Sequence, residues 1–265
     1  MVEGHEFPTR LHQQVAEAVV EWHRDSPAEA VLLVNSCARG TATAESDVDV
    51  AILVSPDLPV ADRQAMEAAW GRRYRSGPLF REFEKNGRFA RVHLDIFDGR
   101  WEPARWDDGG GPDAFEIEVG NRVTHAVPLW EGGAAFAELR SRWLPYYGDD
   151  LRAERLPMVI EACRRDLERI PYGVRRGLYF YSFGRLYNAF QESLQAVFIC
   201  RRVYPIAYDK WIREQVGGWL GLPDLYHELP PVLQIAHLES DELQAKAELL
   251  DALLERWTAE DLPGY

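Results

Sequence analysis

Strand-like patterns occupy only the first half of this chain, and after about Trp130 every patterned stretch has helical spacing. An all-β fold and an all-helical fold are both excluded by that switch. In the first half, apolar residues at helical spacing from Leu11 to Trp22 precede a VLLV run at Val31 to Val34 and then VDVAILV from Val48 to Val54. Pro56 and Pro59 end the second run, helix formers fill Ala61 to Tyr74, and FARVHLDIF from Phe89 to Phe97 returns to strand composition. A mixed sheet carrying helices is the simplest assembly. A last apolar run, VTHAVPLW, ends at Glu131, Gly132 and Gly133, and helical spacing then covers about 134–144, 153–169, 174–201, 208–220 and 240–258, with Ser240 as N-cap of the last. The stretch PYYGDD at Pro145 to Asp150 marks the boundary. The expected organisation is therefore α+β, an α/β domain over 1–145 followed by an all-helical bundle over 146–265. Trp101 to Asp113, with Asp107, Asp108 and three successive glycines, reads as a loop and a candidate mobile cover.

Composition narrows the class of partner. With 265 residues, 46% of them hydrophobic, the chain can bury one large core or two modest ones. Its 30 basic against 43 acidic residues leave a net charge of −13, which argues against a broad phosphate-tracking surface and makes nucleic acid an unexpected partner. Small or cationic ligands are easier to accommodate. Cys37, Cys163 and Cys200 are too scattered for a disulfide framework, no run of about eighteen apolar residues exists, and the N-terminus has no signal core. A cytoplasmic protein without membrane contact is expected.

Chemistry concentrates between Val31 and Val54. Asp47 and Asp49 stand two apart at the start of an apolar strand, so they emerge on one face while Val48 and Val50 take the other. Two carboxylates about 7 Å apart at the edge of a core repel each other and lose hydration, and a cation between them relieves both costs. Hard divalent ions such as Mg²⁺ take oxygen ligands, and two ions would need a further acid from a neighbouring strand. Asp95, between Leu94 and Ile96, is the obvious supplier. The bland alternative is that Asp47 ends a loop, Asp49 faces solvent and Asp95 lies on an edge strand.

The run NSCARGTATAESDVDVAILV resembles the signature of the DNA-polymerase-β-like nucleotidyltransferases, in which a Gly-Ser turn is followed by Asp-x-Asp and a third acid on a later strand. Its wording at Ser36 to Gly40 and Ser46 to Asp49 is similar to the small bacterial members, including aminoglycoside and lincosamide adenylyltransferases. The likeness extends over Val31 to Phe97 and is looser over the helical half, where YPIAYDKW at Tyr204 to Trp211 is its best segment. It implies an N-terminal mixed-sheet nucleotidyltransferase domain and transfer of a nucleoside monophosphate, AMP from ATP, to a hydroxyl of a small molecule such as an antibiotic. It also implies Mg²⁺ on Asp47, Asp49 and Asp95, with Asp95 either third ligand or general base.

One departure stands out: the family's glycine is Asn35 here, and asparagine is among the few residues that tolerate positive φ. Asn35, Ser36 and nearby backbone amides would cradle phosphate. Arg39 would neutralise phosphate oxygens or else pair with an acid such as Glu45; Lys210, one of only three lysines, would reach the triphosphate or else lie on a helix surface. A single histidine, His93, reads as structural, with a place beside a metal as its alternative. Cys37 reads as a small filler, and the aromatic band from Tyr179 to Phe190 as interhelical core, part of it available to a sugar or base. Glu192 and Asn188 form an interhelical or solvated pair, with Glu192 a second candidate base. Two other readings stay open: a protein or tRNA acceptor, and a catalytically silent nucleotide-binding module.

Overall fold

The computed structural model describes residues 5–24, 26–103 and 109–259. Asp107 and Asp108 of the expected cover loop lie outside the described residues. Two compact units emerge, one comprising Met1–Glu102 with Glu118–Leu144, the other Pro103–Ile117 with Pro145–Tyr265.

The first unit is built on a four-stranded sheet in the order β3-β2-β1-β4. Helix α1 (Arg10–His23) comes first, its N-cap Thr9 accepting a hydrogen bond from the His12 amide, and β1 (Ala28–Val34) follows. A four-residue turn of helix, α2 (Asn35–Ala38), leads toward β2 (Val48–Val54). Helices α3 (Val60–Ser76) and α4 (Pro78–Phe83) then bridge to β3 (Val92–Phe97). Such a long bridge is needed because β2 and β3 run parallel, whereas β1 pairs antiparallel with both β2 and β4. The chain passes through α5 (Phe115–Val119), in which the division between units falls, and a wide helical turn at Gly120–Thr124 before β4 (Val127–Glu131) and α6 (Ala135–Trp143).

Position in the sheet explains the sequence pattern of each strand. The central strands β1 and β2 are buried along almost their whole length and read as apolar runs, each interrupted by a single acid, Glu29 and Asp49. At the edge, β3 is more open, with His93 and Asp95 exposed on one face between the buried end residues Val92 and Phe97. One core joins Val15 and Val19 of α1 to Val31, Leu33, Val48 and Val50 of the sheet and to Trp70, Phe80 and Phe83 of the bridge.

The second unit is helical. The 27-residue α7 (Asp149–Arg175) packs along α8 (Tyr179–Arg201), and α9 (Pro223–Leu233) and α10 (Glu242–Thr258) complete the core. Ser240 does act at the start of α10, its hydroxyl accepting the Glu242 amide at 3.2 Å, although Asp241 occupies the cap position. Two expectations need correction. The stretch 208–220 is irregular up to a wide helical turn at Arg213–Trp219, with Trp211 at φ 57, and α9 was hidden by Pro230 and Pro231 inside it. Much of the aromatic band is surface rather than core: Phe180 is 78% exposed, while Phe190 is buried.

Residues 103–117 join the helical unit, whereas the sequence reading kept them with the sheet. Arg155 of α7 supplies the physical reason. It is wholly buried, with bonds to Asp113 at 2.7 and 3.0 Å and to Glu116 at 2.7 and 3.0 Å. Gln195 donates to the same two carboxylates at 2.9 and 2.7 Å, and the Tyr147 hydroxyl reaches Glu116 at 3.1 Å. A buried guanidinium must be paired, and its pairing acids carry their segment with them. Among the described residues, no helix is long and apolar enough to cross a membrane.

Candidate metal and nucleotide site

In the first unit the Asp-x-Asp pair lies at the start of β2, and the loop entering that strand is fixed from below. His12, buried in α1, donates Nε2–H to the Ser46 carbonyl at 3.1 Å, while its Nδ1 accepts from the Thr9 hydroxyl at 2.7 Å. Those partners select the neutral tautomer, and burial lowers the His12 pKa to match. The Cys37 thiol donates to the Asp47 carbonyl at 3.3 Å, and burial beside Asp49 and Asp47 pushes its pKa up to about 12. Cys37 is therefore an inert donor. Nothing in the sequence singled out His12; its signal, a histidine on the buried face of an amphipathic helix, is common to many structural histidines.

Parallel register sets the other wall. Asp49 stands opposite His93 and Ala51 opposite Asp95, so His93 and Asp95 share the face of Asp47 and Asp49. One ligand atom each from Asp47, Asp49 and His93 lies within 4.8 Å of the others. His93 Nε2 sits 3.6 Å from Asp47 Oδ2. Asp95 is one step further along the face and stands outside that trio, its Oδ2 3.4 Å from Arg122 Nη2 and its side chain 67% exposed. Arg122 also pairs with Glu118 and covers the Phe97 ring. Of the three predicted metal acids the structure thus groups Asp47 with Asp49, brings in the histidine that sequence reasoning set aside, and leaves Asp95 on an arginine.

Asp49 registers the strain of this arrangement. Burial, and then the charge of Asp47, raise its pKa to about 6, against relief from an Asn35 side-chain hydrogen bond and from His93. Asn35 has φ 56, the left-handed conformation that the glycine of the resembled signature would adopt freely, and its amide is spent on Asp49. Ser36 is half-buried, its carbonyl accepting from the Thr41 amide at 3.0 Å, and its hydroxyl has no hydrogen-bond partner among the described residues. Arg39 donates to Asn121 at 3.3 Å rather than to Glu45.

Lys210 belongs to the helical unit and is exposed. It lies in the irregular stretch before the Arg213–Trp219 turn, not on a helix, and buried Gln215 holds its carbonyl at 2.8 Å. Glu192, the second candidate base, is buried in α8, and Asn188 donates to the Gly109 carbonyl at 2.7 Å.

No protein-family model matches the chain, and no curated protein does. Among solved structures it is similar to a nucleotidyltransferase-like protein from Exiguobacterium sibiricum 255-15, at 14% identity and a TM-score of 0.47, over 94% of this chain and 75% of that one. At that level of similarity the chemistry has to be argued from the site.

Proposed function

We propose that this chain is a divalent-metal-dependent nucleotidyltransferase, moving a nucleoside monophosphate, AMP from ATP, onto a hydroxyl with release of pyrophosphate. The observation that carries the reading is the meeting of Asp47, Asp49 and His93 within 4.8 Å at the mouth of β2, two half-buried carboxylates with one pKa lifted to about 6. Such a group is costly without a cation and suits Mg²⁺, or Mn²⁺ given the imidazole. A bound ion there would neutralise charge on the transferring phosphoryl group and lower the pKa of the acceptor hydroxyl.

The remaining roles fall to the chain itself. Asp47 and Asp49 hold the ion, and His93 either joins them or orients Asp47. The Asn35–Arg39 turn faces phosphate with the Ser36 hydroxyl and the Arg39 guanidinium. Asp95, once released by Arg122, takes the proton of the acceptor hydroxyl or completes the metal set. A small hydroxyl-bearing acceptor, an antibiotic among the candidates, is the simplest substrate, and the net charge of −13 favours a cationic one. An RNA acceptor is the second reading, favoured by the local charge described below.

Pyrophosphate release from ATP and Mg²⁺ with a panel of hydroxyl compounds tests the reaction. Release that disappears in both Asp47→Asn and Asp49→Asn, with both variants folded, is the expected result. Release unaffected by these substitutions, or tight ATP binding without release under any acceptor, refutes it.

A further inference from the structure

The net charge conceals a reversal of sign next to the acids. Between Arg72 and Arg91 the chain carries seven basic side chains against two acidic ones, Glu82 and Glu84, leaving 23 basic and 41 acidic elsewhere. All seven cations are exposed. Lys85 pairs with Glu82, but Arg72, Arg73, Arg75, Arg81, Arg88 and Arg91 form no ion pair among the described residues. Both acids are already engaged, since Glu84 accepts the Tyr74 hydroxyl at 2.7 Å.

These arginines belong to one continuous piece of the first unit, the last turns of α3, then α4, then the turn entering β3. Tyr74 ties the ends together, lying against α4 through Phe80 at 5.1 Å and close enough to Arg91 to feel its charge. The strip ends at the candidate site. Arg91 accepts the Val48 amide through its carbonyl at 2.8 Å, and it precedes His93 by two residues on the strand line. Gly87 of the same turn lies against the loop carrying Asp47, for a Cβ there would come within 3.1 Å of Glu45. Within the turn Phe89 is 72% exposed, with the Arg88 guanidinium 5.8 Å from its ring centroid.

We propose that this strip docks single-stranded RNA, the arginines taking backbone phosphates and Phe89 offering a stacking platform to one base. Unpaired guanidinium groups in series match a polyphosphate backbone, and an exposed ring beside an arginine matches unpaired bases, which a lipid surface or an acidic protein does not require. The assignment deepens the transfer reading and rests on it in one respect: a strand lying here would supply the acceptor hydroxyl to the site at its end.

Fluorescence anisotropy of the full chain with a labelled 20-nucleotide RNA in EDTA, where no transfer occurs, tests the docking directly. A Kd below about 10 μM at 50 mM salt is expected, weakening roughly 50-fold at 200 mM if about four phosphates are contacted. The Arg73→Glu, Arg75→Glu, Arg81→Glu triple variant should lose at least 10-fold and show a shallower salt dependence, and Phe89→Ala should lose several-fold. A control triple at Arg24, Arg142 and Arg175, with the same change in charge, should bind like the wild type. Melting curves separate lost binding from lost folding, and Arg→Lys changes at the same three strip positions should retain most of the affinity. No binding at 50 mM salt, equal loss in both triples, or capture by phosphatidylserine vesicles in place of RNA would overturn the proposal. Pyrophosphate release with small acceptors is read without RNA, so failure of docking and failure of nucleotidyl transfer give different results.

Discussion

Asp49 concentrates the conflict between stability and function. Its carboxyl is raised to about 6 by burial and by Asp47, so in the metal-free protein its charge opposes folding at neutral pH. The penalty is full above pH 6, shrinks as pH falls toward the unfolded value of 3.8, and is absent below it. Asp49→Asn should therefore stabilise the first unit by about 2 kcal/mol at pH 7.5 in EDTA and by much less at pH 4.5, with calorimetry at the two pH values as the check. On the proposed reading Mn²⁺ or Mg²⁺ should stabilise the wild type, and the same substitution should remove that stabilisation. The two aspartates and the positive φ of Asn35 were legible because they sit in a local pattern. His93 was not, because its membership depends on β2–β3 register, which a single strand does not display.

At the scale of elements, strands were easier to read than helices. Two-sided burial makes β1 and β2 largely apolar, each with one acid, Glu29 and Asp49; β2 keeps the limits its composition suggests, while β1 starts at Ala28, ahead of its VLLV run. Helix α9 contradicts its own sequence, since Pro230 and Pro231 fall near its C-terminal end, where one lost amide bond each can be offset by burial of Leu225, Leu229 and Val232. Nothing in the sequence sets Arg155 of α7 apart from the other arginines of that helix, yet it holds α5 and Asp113 to the helical unit. Arg155→Met leaves two carboxylates buried without their cation and should cost about 3–5 kcal/mol. Limited proteolysis should show faster cleavage at 109–117 in this variant, and thermal unfolding of the helical unit should fall in parallel. Arg155→Lys rescues little, because an ammonium cannot reach both acids in two-pronged fashion.

For the whole molecule, the switch from strand to helix patterning identified the α+β class, but the division of the chain is not the single cut that a sequence suggests. The helical unit takes in 103–117, so a fragment starting at Pro145 lacks Asp113 and Glu116 and strands Arg155. Fragment 145–265 should melt well below the same helices in the intact chain, by several kcal/mol in stability, as followed by circular dichroism at 222 nm. Equal melting would show that the pairing is dispensable. Net charge is a sum of the same kind: taken over 265 residues, it does not reveal that its sign inverts over twenty of them.

The parallel pairing of β2 with β3 also dictates when the acids acquire their histidine. The connection from Val54 to Val92 must be closed before the two strands can align, a loop whose entropy is lost ahead of any reward. Until then Asp47 and Asp49 are ordinary hydrated carboxylates on a growing chain. On the proposed reading, affinity for a divalent ion should therefore be a late acquisition in folding, and its appearance would report that the arginine-bearing crossover has closed.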